Sequence, residues 1–240
     1  MIKEKTYTQY LLILVSLILV NCTPTSNCPE NINTLPMYGL VKKCNEQIKI
    51  DEDFIRQSDS LFNNNRTNAS VYHVDLAWGY YYKKEYDNAI KRFNQAWLLD
   101  STNADIYWGF GSVLGMKSMF KESMAYLKKS IKLNPKNEKV YIAIGLSYGN
   151  EFYQNKNTAT LDTAIFYFKK SIETQPNNSD AYIKLTSCYA YCMQTDSVKK
   201  YLKITDSLYP NSIAPDVRTV IQNGINYSDS MKFNSKSITQ

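Results

Sequence analysis

The sequence has 240 residues, 20 of them tyrosine, with 13% aromatic content and a formal net charge of +6. That length admits one elongated repeat array or two small domains. The charge is too mild to mark a nucleic-acid binder, and a single histidine leaves little to build a metal centre from.

Residues 1–21 read as a targeting segment outside the fold. Lys3 and Lys5 precede an apolar run, Tyr10 to Val20, which is too short to cross a bilayer as a helix and suits the core of a signal peptide. Asn21-Cys22 follows at once. The junction resembles a bacterial lipoprotein signal of the Bacteroidota type, although that family usually has Gly, Ala or Ser where Asn21 stands. The resemblance implies acylation of Cys22, which becomes the mature N-terminus, and an envelope protein anchored in a membrane, the outer membrane of a Gram-negative cell. An ordinary secretory signal and an uncleaved anchor are the alternatives. Each buried methylene of an acyl chain adds about 0.8 kcal/mol, so several chains hold a protein at a membrane. No other stretch is apolar enough to span one. Loss of residues 1–21 removes Lys3, Glu4 and Lys5 and leaves +5.

Residues 22–44 are rich in Pro and Asn and read as a linker. In an oxidising compartment Cys28 and Cys44 can pair, closing a loop whose constraint is worth about 3 kcal/mol. Residues 45–68 read as a capping helix and turn, with Phe54, Ile55, Ser58, Leu61 and Phe62 on one apolar stripe over the first repeat. Asp51, Glu52 and Asp53 lack the spacing of a calcium loop and read as solvated charges.

From there to about Pro210 the chain repeats itself. Pro135, Pro176 and Pro210 each close an apolar helix, in Ile-Lys-Leu-Asn-Pro, Ile-Glu-Thr-Gln-Pro and Asp-Ser-Leu-Tyr-Pro. Pro176 and Pro210 are 34 residues apart, as are Ser101 and Pro135, whereas Pro135 and Pro176 are 41 apart. Within each copy a first helix carries one face of large and small residues. These are His73, Leu76, Ala77 and Tyr80; then Tyr107, Phe110, Gly111 and Leu114; then Tyr141, Ile144, Gly145 and Tyr148; then Tyr182, Leu185, Thr186 and Tyr189. Second helices answer with sets such as Ala89, Phe93, Ala96 and Ala164, Phe168, Ser171. A small residue opposite a ring lets antiparallel helices approach closely, and stacking buries the faces that a lone pair would leave wet.

This pattern resembles the tetratricopeptide repeat, W-x2-L-G-x2-Y, then A-x3-F, then P. The copies fall at 70–103, 104–137, 138–178 and 179–212, together filling 69–212. Tyr or His replaces the leading Trp, Thr186 the glycine and Val198 the alanine, which loosens the fourth copy. The resemblance implies an all-α, right-handed solenoid of four helix hairpins, with the N-terminal capping helix and a short C-terminal helix. The seven extra residues of the third copy are expected to lengthen its first helix by a turn at Phe152 and Tyr153, then to protrude as a loop over 154–158. A functional rim loop and an inert insertion both fit that reading. Residues 213–240 read as a short cap, Ala214 to Ile221, and a disordered tail.

Constellations that suggest chemistry have plainer explanations. His73 fills an aromatic core position. Gly109-Phe-Gly111 is repeat packing and lacks the strand and spacing of a phosphate loop. Cys188 and Cys192 share a helix face in a geometry poor for a disulfide, so they read as structural thiols before a redox pair. Asp-Ser/Thr pairs such as Asp59-Ser60 and Asp206-Ser207 resemble a short glycosylation sequence, and capping chemistry explains them as well. The sequence therefore predicts no enzyme, no cofactor and no metal.

In the tetratricopeptide family the first helices line a concave groove. The positions flanking the core stripe are Val74, Trp78, Tyr81 and Tyr82; Asp105, Trp108 and Met116; Ile142, Leu146 and Asn150; and Ile183 and Tyr191. Trp78 and Trp108 are not required by the repeat pattern, and such rings suit interaction hot spots. A family variant clamps a peptide carboxylate with Lys and Asn; Val74 and Trp78 stand where the first copy would supply them, so an apolar, aromatic-reading groove is expected. The resemblance implies an adaptor binding a protein or peptide segment, without nucleic acid. A glycan- or small-ligand-binding lipoprotein, or an accessory of outer-membrane assembly, is the alternative.

Overall fold

The computed structural model describes residues 28–192 and 194–237. The signal segment and Cys22 lie outside them. Every extended element among the described residues is helical. Two 3-10 turns, Ile32–Thr34 and Pro36–Leu40, precede α1 (Asn45–Leu61). Four hairpins follow: α2 (Arg66–Tyr82) with α3 (Tyr86–Leu99), α4 (Ala104–Met116) with α5 (Phe120–Leu133), α6 (Glu138–Asn155) with α7 (Thr158–Thr174), and α8 (Ser179–Tyr191) with α9 (Thr195–Leu208). The chain ends in α10 (Pro215–Ser237). No helix among the described residues is long and apolar enough to cross a membrane.

Local chemistry sets the boundaries. Each first helix starts at an asparagine: Asn65, Asn103, Asn137 and Asn178. Their side-chain oxygens accept N–H bonds of 3.0–3.1 Å from Asn68, Asp105, Lys139 and Ala181, satisfying donors that the helix itself cannot. Three of the second helices end before an X-Pro pair, whose first residue is pushed out of helical conformation, as Asn134 and Gln175 are with ψ of 89° and 92°. Where Ser101 replaces that proline, Asp100 accepts the Thr102 N–H at 2.9 Å and makes the turn instead.

Packing follows the large-against-small pattern. A β-carbon on Gly145 would lie 2.6 Å from the Phe168 ring, so this crossing is closed to any side chain. Ser123 Oγ donates to Gly111 O at 2.7 Å and Ser130 Oγ to Ala104 O at 2.9 Å, tying α5 to α4 where both backbones are close. The first helices also touch along the array, α2 with α4, α4 with α6 and α6 with α8. They form one inner row, with the second helices outside, and the chain is an α-solenoid of helix hairpins.

Four expectations are corrected. The third-copy insertion makes no protruding loop: α6 runs to Asn155 and α7 starts at Thr158. The first helix does gain its turn at Phe152 and Tyr153, and the rest of the insertion lengthens α7, because Thr160 and Leu161 are buried and Phe152 sets its ring edge-on to Tyr191 of α8. The stretch read as a linker is packed structure from residue 28. Buried Asn94 on α3 donates to Asn33 O and Leu35 O at 3.0 and 2.9 Å, and Cys28 and Cys44 form a disulfide with Cα atoms 5.1 Å apart. Leu61 does not join the α1 stripe and is 79% exposed, whereas Phe54 sets its ring edge-on to His73 at 5.1 Å. The C-terminal helix is not short: it continues to Ser237. Ile221 and Ile225, one turn apart, are buried against the last hairpin, and Arg218 forks onto Asp206 while Lys199 reaches Asp229 at 2.7 Å. A polar composition hides such a helix, because one narrow apolar stripe is enough to dock it.

Candidate functional site

The inner row opens into a cleft of about 380 Å³ across α2, α4 and α6. Its N-terminal end is aromatic. Trp78 on α2 and Trp108 on α4 meet with ring centroids 4.1 Å apart and planes tilted by 43°. Trp78 is braced edge-on by Tyr81 at 5.1 Å and by the buried Phe93 at 5.5 Å. Both indoles are partly buried, so each keeps a face at the cleft. Tyr82, 74% exposed, forms the lip. Burial, with Tyr86 and Tyr82 nearby, pushes the Tyr81 hydroxyl up to about 12, so it remains a neutral donor at physiological pH.

The middle is aliphatic, with Met116 on α4 and Ile142 and Leu146 on α6. Small residues form its floor. Gly115 lies against Ser147, whose Oγ is 3.3 Å from Ser123 Oγ. Polar groups complete the lining: Lys139, Asn150, Asn178 and Asp180. Lys139 Nζ stands 5.7 Å from the Trp108 ring centre. Asp105 accepts from Asn137 Nδ2 at 2.9 Å. Burial raises its pKa, opposed by the Lys139 charge and the Asn137 bond. Such an arrangement can stack flat groups, enclose an aliphatic side chain and hydrogen-bond a backbone.

The cleft unites eight of the residues singled out by sequence: Trp78, Tyr81, Tyr82, Trp108, Met116, Ile142, Leu146 and Asn150. Four lie elsewhere. Val74 is only 4% exposed, in the buried cluster of Ala77 and Phe110, because α4 packs against α2 at its level. Asp105 holds Asn137 without lining the cleft. Ile183 packs on the C-terminal core. Tyr191 sets its ring edge-on to Phe152 at 5.8 Å and lines a separate apolar hollow with Val220. Lys139 joins the lining without having been expected there, three residues before Ile142 on the stripe Ile142, Leu146, Asn150. Gly115 and Ser147 also line the cleft and carry no signal of their own in the repeat pattern. Cys188, with its thiol pushed up to about 12 by burial, is held as a thiol, and Cys192 is raised for the same reason.

Residues 80–118 match the family model for the TPR repeat, and residues 104–137 match that for the tetratricopeptide repeat. Among solved structures, the thermophilic TPR protein TTC0263 of Thermus thermophilus superposes with a TM-score of 0.55 at 15% identity, over 65% of this chain and 80% of that one. The human IFIT1 dimer with PPP-AAAA gives a TM-score of 0.52 at 19% identity, over 76% of this chain and 40% of that one. MamA MSR-1 C2 gives 0.50 at 20% identity, over 70% and 89%. No curated protein matches the chain. The two matched stretches together place tetratricopeptide repeats at residues 80–137, inside an α-solenoid of helix hairpins.

Proposed function

We propose that this protein is a non-catalytic adaptor that docks a protein or peptide segment in the inner cleft, tethered to a cell-envelope membrane through Cys22. The observation that carries the docking is the Trp78–Trp108 pair. Its two indoles line the same cleft as the aliphatic Met116, Ile142 and Leu146 and the hydrogen-bonding Asn150 and Asn178. An extended segment suits this sequence of surfaces: an aromatic or large aliphatic side chain against the indoles, a smaller one at Met116 and Leu146, and its backbone on Asn150 and Asn178. The tether is supported by the lysines, apolar run and cysteine of residues 1–22.

The test is affinity capture from envelope extracts with the full chain and a Trp78→Ala, Trp108→Ala double variant. Truncating one hot-spot ring at about 2 kcal/mol lowers affinity about thirtyfold, and both together by up to about 700-fold. The adaptor reading expects defined protein partners with the parent and their loss with the variant. Retention on a glycan array without protein partners would move the assignment to sugar stacking on the same indoles.

A further inference from the structure

We infer that the N-terminal end of the solenoid is a membrane-contact surface, with a lipid bilayer as its occupant. This rests on the membrane-tethering reading above and adds which face meets the lipid.

Exposed large apolar side chains at this end are Leu35, Leu40 and Val41 on the packed turns and Ile50 on α1; Ile48, two residues before Ile50, is exposed on another side of the helix. Leu40 is 72% exposed and Ile50 67%. They belong to one clamped unit. Leu35 and Val41 flank Gly39, since a β-carbon there would meet their side chains at 3.0 and 3.4 Å. Lys43 sets its ammonium over the Tyr38 ring and pairs with Asp51, beside Ile50. The Cys28–Cys44 disulfide fastens the start of the segment to the start of α1. Met37, Tyr38 and Leu40 hold φ of 51°, 56° and 54°, a left-handed conformation that L-residues disfavour. That turn presents Leu40 to solvent where an ordinary turn would not need a leucine, and strain of this kind gathers at functional positions.

Chain geometry selects the occupant. Cys28 lies six positions after Cys22 and eight after Val20. At full extension six residues reach about 20 Å. Whether acyl chains on Cys22 or the run ending at Val20 enter the bilayer, the first described element after them is the disulfide-fastened turn. Exposed Lys42 and Lys49 are offset by Glu46 and Glu52 along the same stretch, so apolar insertion rather than net charge carries the contact. The cleft is built on α2, α4 and α6, away from this surface, and stays open to a partner.

The test uses the full chain in phosphatidylcholine vesicles with brominated acyl chains. Leu40→Trp and Ile50→Trp report on the patch, and Val220→Trp, 69% exposed in the parent at the other end, is the control. Emission from the native Trp78, Trp97 and Trp108 is subtracted. Incorporation of a clickable fatty acid, and its loss in Cys22→Ala, reads the tether separately. The expected result is at least a twofold fall of the Leu40→Trp and Ile50→Trp increments in brominated lipid, with Val220→Trp unchanged. Unquenched or uniformly quenched reporters with Cys22 labelled would overturn the contact and leave the tether. Selective quenching without label would keep the contact and overturn the tether. A detergent-stable dimer broken by Leu40→Lys, with no quenching, would assign the patch to a second copy and overturn the lipid.

Discussion

Single residues in this chain are chosen for what the neighbouring helix leaves room for. His73 shows this most clearly. It takes the position that Tyr107 takes one copy later, yet it is buried, with Phe54 and Tyr72 edge-on to its ring at 5.1 and 5.4 Å and no hydrogen-bond partner for Nδ1. Desolvation first, and the Arg92 charge second, lower its pKa to about 4. The unfolded chain takes up a proton near pH 6.5 and the folded chain does not until about pH 4. The stability this neutral ring allows is therefore full above pH 6.5, falls between 6.5 and 4, and levels off below. A His73→Leu variant removes that titration while keeping an apolar filler. Urea midpoints from pH 7 to 4 are expected to fall more steeply for the parent than for the variant. Parallel curves would mean that water reaches the imidazole.

At the scale of elements, the turns inside the hairpins carry a local conflict. After α2 and α4 the chain makes the same C-terminal motif. Lys84 N–H donates to Tyr81 O and Glu85 N–H to Tyr80 O; Ser118 N–H donates to Gly115 O and Met119 N–H to Leu114 O. Lys84 and Ser118 sit at φ of 63° and 62°, where glycine is the usual residue. The motif recovers two orphan carbonyls per helix, which outweighs the cost of placing an L-residue there. Replacing Ser118 by glycine relieves the conflict at an exposed position and is expected to stabilise by about 0.5–1 kcal/mol. Thermal unfolding checks it; a fall in Tm would mean that Ser118 Oγ, which accepts from Gln154 Nε2 at 3.0 Å, contributes more than the backbone loses. This is also where sequence reading is weakest. The hairpins themselves were legible, because Gly145 against Phe168 and the X-Pro stops are local signals of period 34. The insertion was legible only in part: the first helix gains its extra turn at Phe152 and Tyr153, but a loop and a longer second helix have the same composition and differ only in whether Thr160 and Leu161 find partners. The docking of residues 28–44 was not legible, because it depends on Asn94, a buried amide 59 and 61 residues away along the chain from the carbonyls it binds.

The whole molecule is quasi-one-dimensional, so each hairpin leans only on its neighbours. The cleft was legible to the extent that it lies on one helix stripe. Val74 and Ile183 show the limit: a stripe position faces the groove only if the next hairpin does not cover it, which the array decides. The same logic governs the open end. The fourth hairpin has the loosest match to the repeat, and no fifth hairpin follows it among the described residues. In its place α10 supplies Ile221 and Ile225, which with Ile213 are buried against Leu185, Tyr189 and Val198. Burying a side chain of this size contributes about 1.5–3 kcal/mol, comparable in sum with the stability of a small domain. Ending the chain at Ser212 removes all three. Because coupling is between nearest neighbours, the loss is expected to stay local: amides of α8 and α9 lose at least about 3 kcal/mol of protection, while those of α2 to α5 keep theirs. Hydrogen exchange read by mass spectrometry separates this from a uniform fall. A uniform fall would mean that the four hairpins unfold as one unit, and the cleft at α2, α4 and α6 would then depend on a helix that never touches it.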